Sequence, residues 1–377
     1  MNDLIIRDGL ILDPATKRYE KGNIAIRKGK IVEVGTTDDA AAEQMIDASG
    51  TIVTPGLIDF HLHLSPLAEI GVLGEPVCFS SGVTTAVDCG SAGAATYEGH
   101  RAYLLSQKLR VKCFLHVCSA GLATGRYLEN PDPKCFDKDK IKRLFSDYRN
   151  ELVGLKIRQG AEIVGPLGLK PLKSTIELAE ELGVPVMVHC SNPPCPMDEI
   201  LKHLRTGDIL THAYQDKGSS ILDDNGHVSE EALNARKRGV IFDVANANIH
   251  FSFPVARAAI AENFLPDTIS TDLTTRSLYK RPAVFNLLHV LSKYYNMGMS
   301  LTEVIECSTS TPARLLGLQN EIGSLATGRK ADIAILKELD RPTEFGDRRG
   351  EIMMGNRVLK AMMTIRGGDV VYRDMEF

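Results

Sequence analysis

The chain has 377 residues, of which 44% are hydrophobic and 24% charged, and its formal net charge at pH 7 is −4. This composition is typical of a soluble globular protein, and it disfavours a nucleic-acid or membrane-surface binder because such proteins usually carry a clear excess of basic residues. The sequence shows no signal peptide and no run of the ~20 apolar residues that a membrane span needs, and its eight cysteines form no Cys-x-x-Cys pair. We therefore expect a cytoplasmic protein without structural disulfides.

Both ends of the chain are rich in predicted strands. Residues 1–53 contain short apolar segments separated by glycines, and residues 319–377 return to short apolar segments. The segments are 4–6, 10–12, 23–26 and 30–34 at one end and 332–336, 357–363 and 369–372 at the other. The first piece is too small to bury a core alone, so we predict that 1–53 and 319–377 form one small β-sandwich domain, discontinuous in sequence. Two separate caps are the alternative.

Between these ends, in residues 54–318, apolar strand candidates alternate with helical segments. The eight candidate strands are 57–61, 83–89, 111–118, 153–157, 184–189, 208–212, 240–244 and 268–271. Helical segments are predicted at 172–182 and 230–238, and a last helix towards Leu318 begins at Ser300, where Glu303 completes a capping box. Alternation of this kind predicts an α/β fold with a parallel sheet, and eight units are what a (β/α)8 TIM-like barrel requires.

Polar residues stand at the carboxyl ends of five of these strands, where the active sites of such barrels lie. They are His61, His63, Lys156, His189, His212 and Asp272. Taken singly, each has an ordinary structural interpretation as a core histidine, a helix cap or a lysine that reaches the surface. Taken together, four imidazoles and a carboxylate favour a divalent metal site, with zinc first. Four imidazoles exceed the needs of one catalytic zinc ion, which suggests two ions.

The sequence resembles the amidohydrolase superfamily over essentially its full length, in the binuclear branch that includes dihydroorotase, dihydropyrimidinase and phosphotriesterase. Two motifs carry the resemblance. Pro-Gly-Leu-Ile-Asp-Phe-His-Leu-His at 55–63 matches the first strand of that superfamily, and Gly-Ser-Leu-Ala-Thr-Gly-Arg-Lys-Ala-Asp at 323–332 matches the return into its small β-domain.

The resemblance implies a specific set of metal ligands. One metal ion would be bound by His61, His63 and Asp272, and the second by His189 and His212. Lys156, carboxylated by CO2, would bridge the two ions. It also implies hydrolysis by a hydroxide shared between the ions, with Asp272 moving its proton as general acid and base.

Several loops resemble a subgroup of dihydroorotase-like deacetylases and esterases that act on N-acetyl-amino acids and O-acetyl-hydroxy acids. These loops suggest four substrate contacts, Gly90, Ser91, Arg126 and Tyr127. Residues 243–253 depart from the glycine-rich segment common in this subgroup. There, His250 is either a substrate contact or a loop residue packed on Phe251.

The leading hypothesis is a hydrolase that cleaves the amide or ester of a small carboxylate-bearing molecule, and we expect a homo-oligomer. The alternative is a cyclic amidohydrolase such as dihydroorotase. Against it, true dihydroorotases usually carry an arginine two residues after the second histidine, and this chain has Ser65 there. A lyase or deaminase on the same metals is less favoured. A metal-free scaffold homologue is disfavoured because all six candidate ligands are present.

Overall fold

A computed structural model of the chain describes residues 1–35, 41–123 and 129–377. The strands, in chain order, are β1 (Asn2–Asp13), β2 (Arg18–Arg27), β3 (Lys30–Gly35), β4 (Ala42–Asp47), β5 (Ile52–Pro55), β6 (Leu57–Leu62), β7 (Val83–Gly93), β8 (Arg110–His116), β9 (Leu152–Arg158), β10 (Val186–His189), β11 (Ile209–Thr211), β12 (Ile241–Asp243), β13 (Ile333–Gly346), β14 (Ile352–Arg366) and β15 (Asp369–Arg373). The α-helices are α1 (Gly74–Phe79), α2 (Tyr97–Leu105), α3 (Lys138–Asp147), α4 (Ala161–Val164), α5 (Lys170–Leu182), α6 (Met197–Leu201), α7 (Glu230–Arg238), α8 (Phe253–Ala261), α9 (Leu287–Asn296), α10 (Leu301–Glu306) and α11 (Ser310–Leu315).

Strands β6 to β12 form a curled parallel sheet in which each strand pairs with its neighbour in the chain. Several of them are buried on both faces, and their apolar runs reflect this: every residue of β10 and β11 is buried. The sheet confirms seven of the eight strands predicted for the central region. Because all seven run in the same direction, their carboxyl ends lie at one edge.

The eighth predicted strand, 268–271, is not a regular strand. It makes isolated parallel bridges at Thr268 to β12 and at Leu273 to β6, the two outer strands of the curled sheet. Its hydrogen bonds go partly to side chains, since the hydroxyls of Thr268 and Ser270 donate to the carboxylate of Asp243. At Asp272 the backbone turns with φ of 50°, which ends any extended conformation.

The two chain ends join in one hydrogen-bonded sheet with the order β15-β14-β13-β5-β1-β2-β3, and β4 also pairs with β1. The ends are therefore not two separate caps. A largely isoleucine and leucine core that includes Ile6, Ile26 and Ile333 draws on both ends of the chain. Strand β5 leads directly into β6, so this sheet fixes the start of the strand that carries the first two histidines.

The capping box predicted at Ser300 is present, with Glu303 as its partner. The helix is nevertheless shorter than expected and breaks between α10 and α11. The hydroxyl of Thr309 donates to the Ile305 carbonyl, and Pro312 lacks the N–H that a continuous helix requires. In the described part of the chain, every helix is too short or too polar to cross a membrane.

Candidate metal centre

All six predicted ligand residues lie together at the carboxyl edge of the parallel sheet. His61 and Lys156 are in β6 and β9, His189 ends β10, and His212 follows β11. His63 and Asp272 come from the connections just beyond. Each of the six is 7% exposed or less. Buried polar side chains in such numbers need partners, and here most of the nearest partners are one another.

The first cluster joins His61, His63 and Asp272. The Oδ1 atom of Asp272 lies 3.1 Å from His63 Nε2 and 3.7 Å from His61 Nε2. One donor atom from each of the three residues lies within 4.8 Å of the others. With a single residue between them, the two histidines place both imidazoles on the same side of the chain, as the alternation of a strand predicts.

The second cluster is made of imidazoles. His212 Nε2 lies 2.8 Å from His189 Nδ1. His250, from the loop after β12, completes the group, because its ring stacks on that of His212 with centroids 4.1 Å apart. The donor atoms of these three histidines also lie within 4.8 Å of one another.

Lys156 stands beside both clusters and carries no close carboxylate partner of its own among the described residues. Its Nζ lies 3.1 Å from His61 Nε2 and 3.7 Å from the sulfur of Met187. Burial lowers the pKa of the Lys156 ammonium, because the charged form is the more costly one to desolvate. A neutral amine in this position is the form that reacts with CO2.

Hydrogen bonds behind the clusters fix which ring nitrogens are free to bind metal. Thr211 Oγ1 donates to Asp243 Oδ2, so at 2.9 Å it accepts the Nδ1–H of His61. His212 Nδ1 lies 2.8 Å from the carbonyl oxygen of Ala245, which can only accept a proton. The Nε2 atoms of both histidines are therefore unprotonated and face the site, as metal ligation requires.

The protonation of the site agrees with this assignment. Burial lowers the pKa of His61, His189 and His212 well below the usual histidine range, so the three imidazoles are neutral. Burial opposes the ionisation of Asp272, but the hydrogen bond with His63 and the electrostatic influence of the neighbouring histidines outweigh it and hold its pKa well below the usual range. Neutral imidazoles and an ionised carboxylate fit a divalent ion such as zinc.

Two residues predicted as substrate contacts, Gly90 and Ser91, lie against the candidate ligands. Ser91 Oγ is 2.9 Å from His63 Nδ1, and the Ser91 N–H donates to Asp88. Gly90 has φ of +86°, and a Cβ there would lie 2.6 Å from Lys156 Cγ, so a glycine is needed beside the lysine. A role of either residue in substrate binding stays a prediction. Arg126 and Tyr127 lie outside the described residues.

A cavity of about 370 Å³ opens above the clusters. Its lining includes the candidate ligands His63, Lys156, His189 and Asp272, and also Ile70, Leu122, Arg158, Ala247, Asn248, Ile249, His250, Thr274, Arg276 and Ser277. This volume suits a small molecule. The cavity is thus lined by four candidate metal ligands and by two arginines, Arg158 and Arg276.

Two of the lining residues, Arg158 and His250, are only weakly marked by sequence patterns. Arg158 follows Lys156 by two positions, and that spacing on a strand indicates the same face. Its guanidinium pairs with Glu129, which His116 Nε2 also approaches at 3.0 Å. His250 sits in an irregular loop, and only the departure of 243–253 from the glycine-rich pattern marked it.

Comparison with known proteins agrees with the geometry. A model of the amidohydrolase family matches residues 52–371. The chain is 35% identical over 352 residues to a deacetylase from Agrobacterium fabrum, covering 91% of this chain and 84% of that protein. A deacetylase from Enterococcus faecalis is 29% identical, covering 98% of each chain.

Solved structures give the same result. The crystal structure of a dihydroorotase aligns with a TM-score of 0.89 and 32% identity, over 98% of this chain and 99% of that one. The crystal structure of an adenine deaminase aligns with a TM-score of 0.91 and 27% identity, over 99% and 100%. The chain belongs to the amidohydrolase family and is a hydrolase that acts on carbon–nitrogen bonds.

Proposed function

We propose that this protein removes an acyl group from a small carboxylate-bearing substrate, an N-acetyl-amino acid or an O-acetyl-hydroxy acid, with two divalent metal ions. The convergence of His61, His63, Lys156, His189, His212 and Asp272 beside one cavity, which four of them line, carries the proposal. Relatives named as deacetylases, at 29–35% identity over most of the chain, support the choice of reaction.

His61, His63 and Asp272 would hold one ion, and His189 and His212 the other, with carboxylated Lys156 between them. Zinc is the first choice, because imidazole and carboxylate donors suit it. When bound, such ions polarise a substrate carbonyl and make water a nucleophile near neutral pH.

The chain itself supplies the proton transfer. Asp272 presents Oδ1 to His63 and turns Oδ2 towards His250, at 3.9 Å from its Nε2. In the proposed reaction Asp272 accepts the proton of the attacking water and returns it to the leaving nitrogen or oxygen. Its low pKa keeps the carboxylate ionised, which is the form that can accept a proton.

The carboxylate of the substrate would bind to one of the two arginines that line the cavity. Arg158 is partly buried, and Glu129 holds it in place, whereas Arg276 is exposed. A guanidinium fixed in advance binds a carboxylate through two charge-assisted hydrogen bonds at a smaller entropic cost. We therefore assign the anchor to Arg158, while Arg126, Tyr127, Gly90 and Ser91 stay tentative contacts.

A second candidate is a cyclic amidohydrolase such as dihydroorotase, favoured by the 32% identity to a solved dihydroorotase. Ser65, at the position where the resemblance leads us to expect an arginine, weighs against it.

The proposal also includes the wider architecture. We propose an eight-stranded barrel over 54–318, closed by 268–273, with a small sandwich domain formed by 1–53 and 319–377. The cytoplasmic location and a homo-oligomer remain predictions from the sequence.

The test is hydrolysis of a small panel by the zinc-loaded protein. The panel contains N-acetyl-amino acids and O-acetyl-hydroxy acids in both enantiomers, with dihydroorotate and adenine for the competing activities. Cleavage of the acetyl compounds with a chiral preference supports the proposal. Turnover of dihydroorotate or adenine alone contradicts the deacetylase assignment and leaves the family intact.

A further inference from the structure

His250 lies among the candidate ligands of the second ion, although the ligand set implied by the resemblance does not include it. Its ring stacks on His212 at 4.1 Å and meets His189 edge-on at 4.9 Å. The donor atoms of the three histidines fall within 4.8 Å of one another. Three imidazoles this close form the same kind of donor group as a three-histidine zinc site.

One nitrogen of His250 is held by a hydrogen bond, and the other has no hydrogen-bond partner among the described residues. Nδ1 lies 2.7 Å from Ser191 Oγ, on the loop that follows His189. Nε2 is 3.9 Å from Asp272 Oδ2, which is beyond hydrogen-bond distance. A ring held through Nδ1 leaves Nε2 to bind a metal ion. Metal-binding histidines commonly have this arrangement, with the second ring nitrogen hydrogen-bonded.

The loop that carries His250 is fixed on both sides of it. The N–H groups of Asn246 and Ala247 donate to the carbonyls of Ser270 and Thr271, and Ser252 N–H donates to Tyr214. Asn246 Oδ1 also accepts from the Tyr294 hydroxyl, at 2.9 Å. These hydrogen bonds fix the backbone on both sides of His250. The contact between its Nδ1 atom and Ser191 Oγ then holds the imidazole over the site.

We propose that His250 is a third imidazole ligand of the ion held by His189 and His212. This inference rests on the proposed function, since it assumes a metal centre at this site. With three imidazoles, the second ion has a complete set of protein ligands and one open position. That ion then depends less on the carboxylation of Lys156 than it would with two histidines alone.

The competing interpretation is that His250 only contacts the substrate, because it also lines the cavity. The two roles differ in what they change. A ligand sets the affinity of the protein for metal in the absence of substrate, whereas a substrate contact changes KM and leaves metal affinity as it was. Metal binding by the substrate-free protein therefore separates them.

The experiment compares the full chain with His250→Ala and His250→Gln, loaded with zinc in bicarbonate buffer. Zinc content is counted after dialysis, and affinities are measured by competition with a coloured chelator. We expect two ions in the parent. In both variants one ion should be held at least about tenfold more weakly, because even the loss of a residue that only hydrogen-bonds to a ligand weakens metal affinity by about that factor. Cobalt-loaded protein gives a second readout, since its visible spectrum should change with the loss of one nitrogen donor.

Two control variants sharpen the comparison. His227→Ala removes an exposed histidine that pairs with Glu262 outside the site, and it should leave both affinities unchanged. Lys156→Ala should retain part of the second ion, and Lys156→Ala combined with His250→Ala should lose it. Two tightly bound ions in both His250 variants, with an unchanged cobalt spectrum, would overturn this inference alone. A parent protein that binds no zinc would overturn it together with the proposed function.

Discussion

Lys156 Nζ lies 3.1 Å from His61 Nε2, and both side chains are shielded from water in the middle of the candidate metal centre. A neutral amine at Lys156 can donate one N–H to the unprotonated Nε2 atom of His61, and this leaves the lone pair of the amine nitrogen available for reaction. An ammonium at Lys156 would be costly there. The pair is therefore a suitable place for a carbamate and a metal ion, and it leads to the first prediction.

Metal loading should depend on CO2. Metal-free protein incubated with zinc and bicarbonate should take up two ions and gain activity faster than protein in CO2-depleted buffer. In the Lys156→Met variant, which cannot form a carbamate, bicarbonate should have no effect. Zinc content and activity over time are the measurements. Equal loading of the parent with and without bicarbonate would argue against carboxylation.

Asp272→Asn should abolish most of the activity while metal content largely survives. Asparagine keeps an oxygen for His63 but cannot take a proton from water, and removal of a general acid–base group costs about 10²–10⁴ in rate. Turnover and zinc content should be measured on the same preparation. Full activity in this variant would exclude Asp272 as the proton carrier.

Arg158→Gln should raise KM for acidic substrates by about 10- to 100-fold, the usual value of a charge-assisted hydrogen bond. For a neutral amide analogue, KM should change little. Glutamine can still donate to Glu129, which limits the damage to the fold, and thermal melting checks this. Arg276→Gln is the matched control, with a smaller effect expected because its guanidinium is exposed. Equal effects on acidic and neutral substrates would remove Arg158 as the anchor.

The grouping of the six candidate ligands and the seven parallel strands could be predicted from the sequence because both depend on local pattern. An apolar run that ends in histidine, as at His189, indicates both a buried strand and the end of that strand at which the functional residues lie. The segment 268–271 has the composition of a strand, but its side chains bind Asp243 and its backbone turns at Asp272. Such long-range bonds leave no periodic signal, and neither does the loop geometry that brings His250 over the site.

The buried Lys293 should make stability depend on alkaline pH. Its Nζ donates to the carbonyls of Ala283 and Gly346, and burial lowers its pKa to about 7, against the attraction of Asp347. Between pH 7 and about 10 the unfolded chain binds a proton there that the folded chain does not, so stability rises with pH in this window. The full effect is on the order of 4 kcal/mol.

The Lys293→Met variant tests this dependence. It should be less stable at every pH, since two carbonyls lose their donor, and it should lack the rise. Urea midpoints of both proteins at pH 7, 8.5 and 10 give the comparison, and other titrating groups cancel in the difference between the curves. A constant difference across the three pH values would show that Lys293 is charged in the folded protein throughout.

Ala247 carries backbone strain that a glycine would relieve. Its φ of 41° lies in the left-handed region, which costs a residue with a Cβ about 1–2 kcal/mol, and its N–H is bound to Thr271 so that the loop cannot relax. Glycine loses more chain entropy on folding, so the net gain from Ala247→Gly should be up to about 1 kcal/mol. Ala102→Gly, at an exposed position in helix α2, should instead cost about 0.5–1 kcal/mol. Thermal denaturation of both variants beside the parent gives opposite shifts if the strain is real, and a loss of stability in both would contradict it.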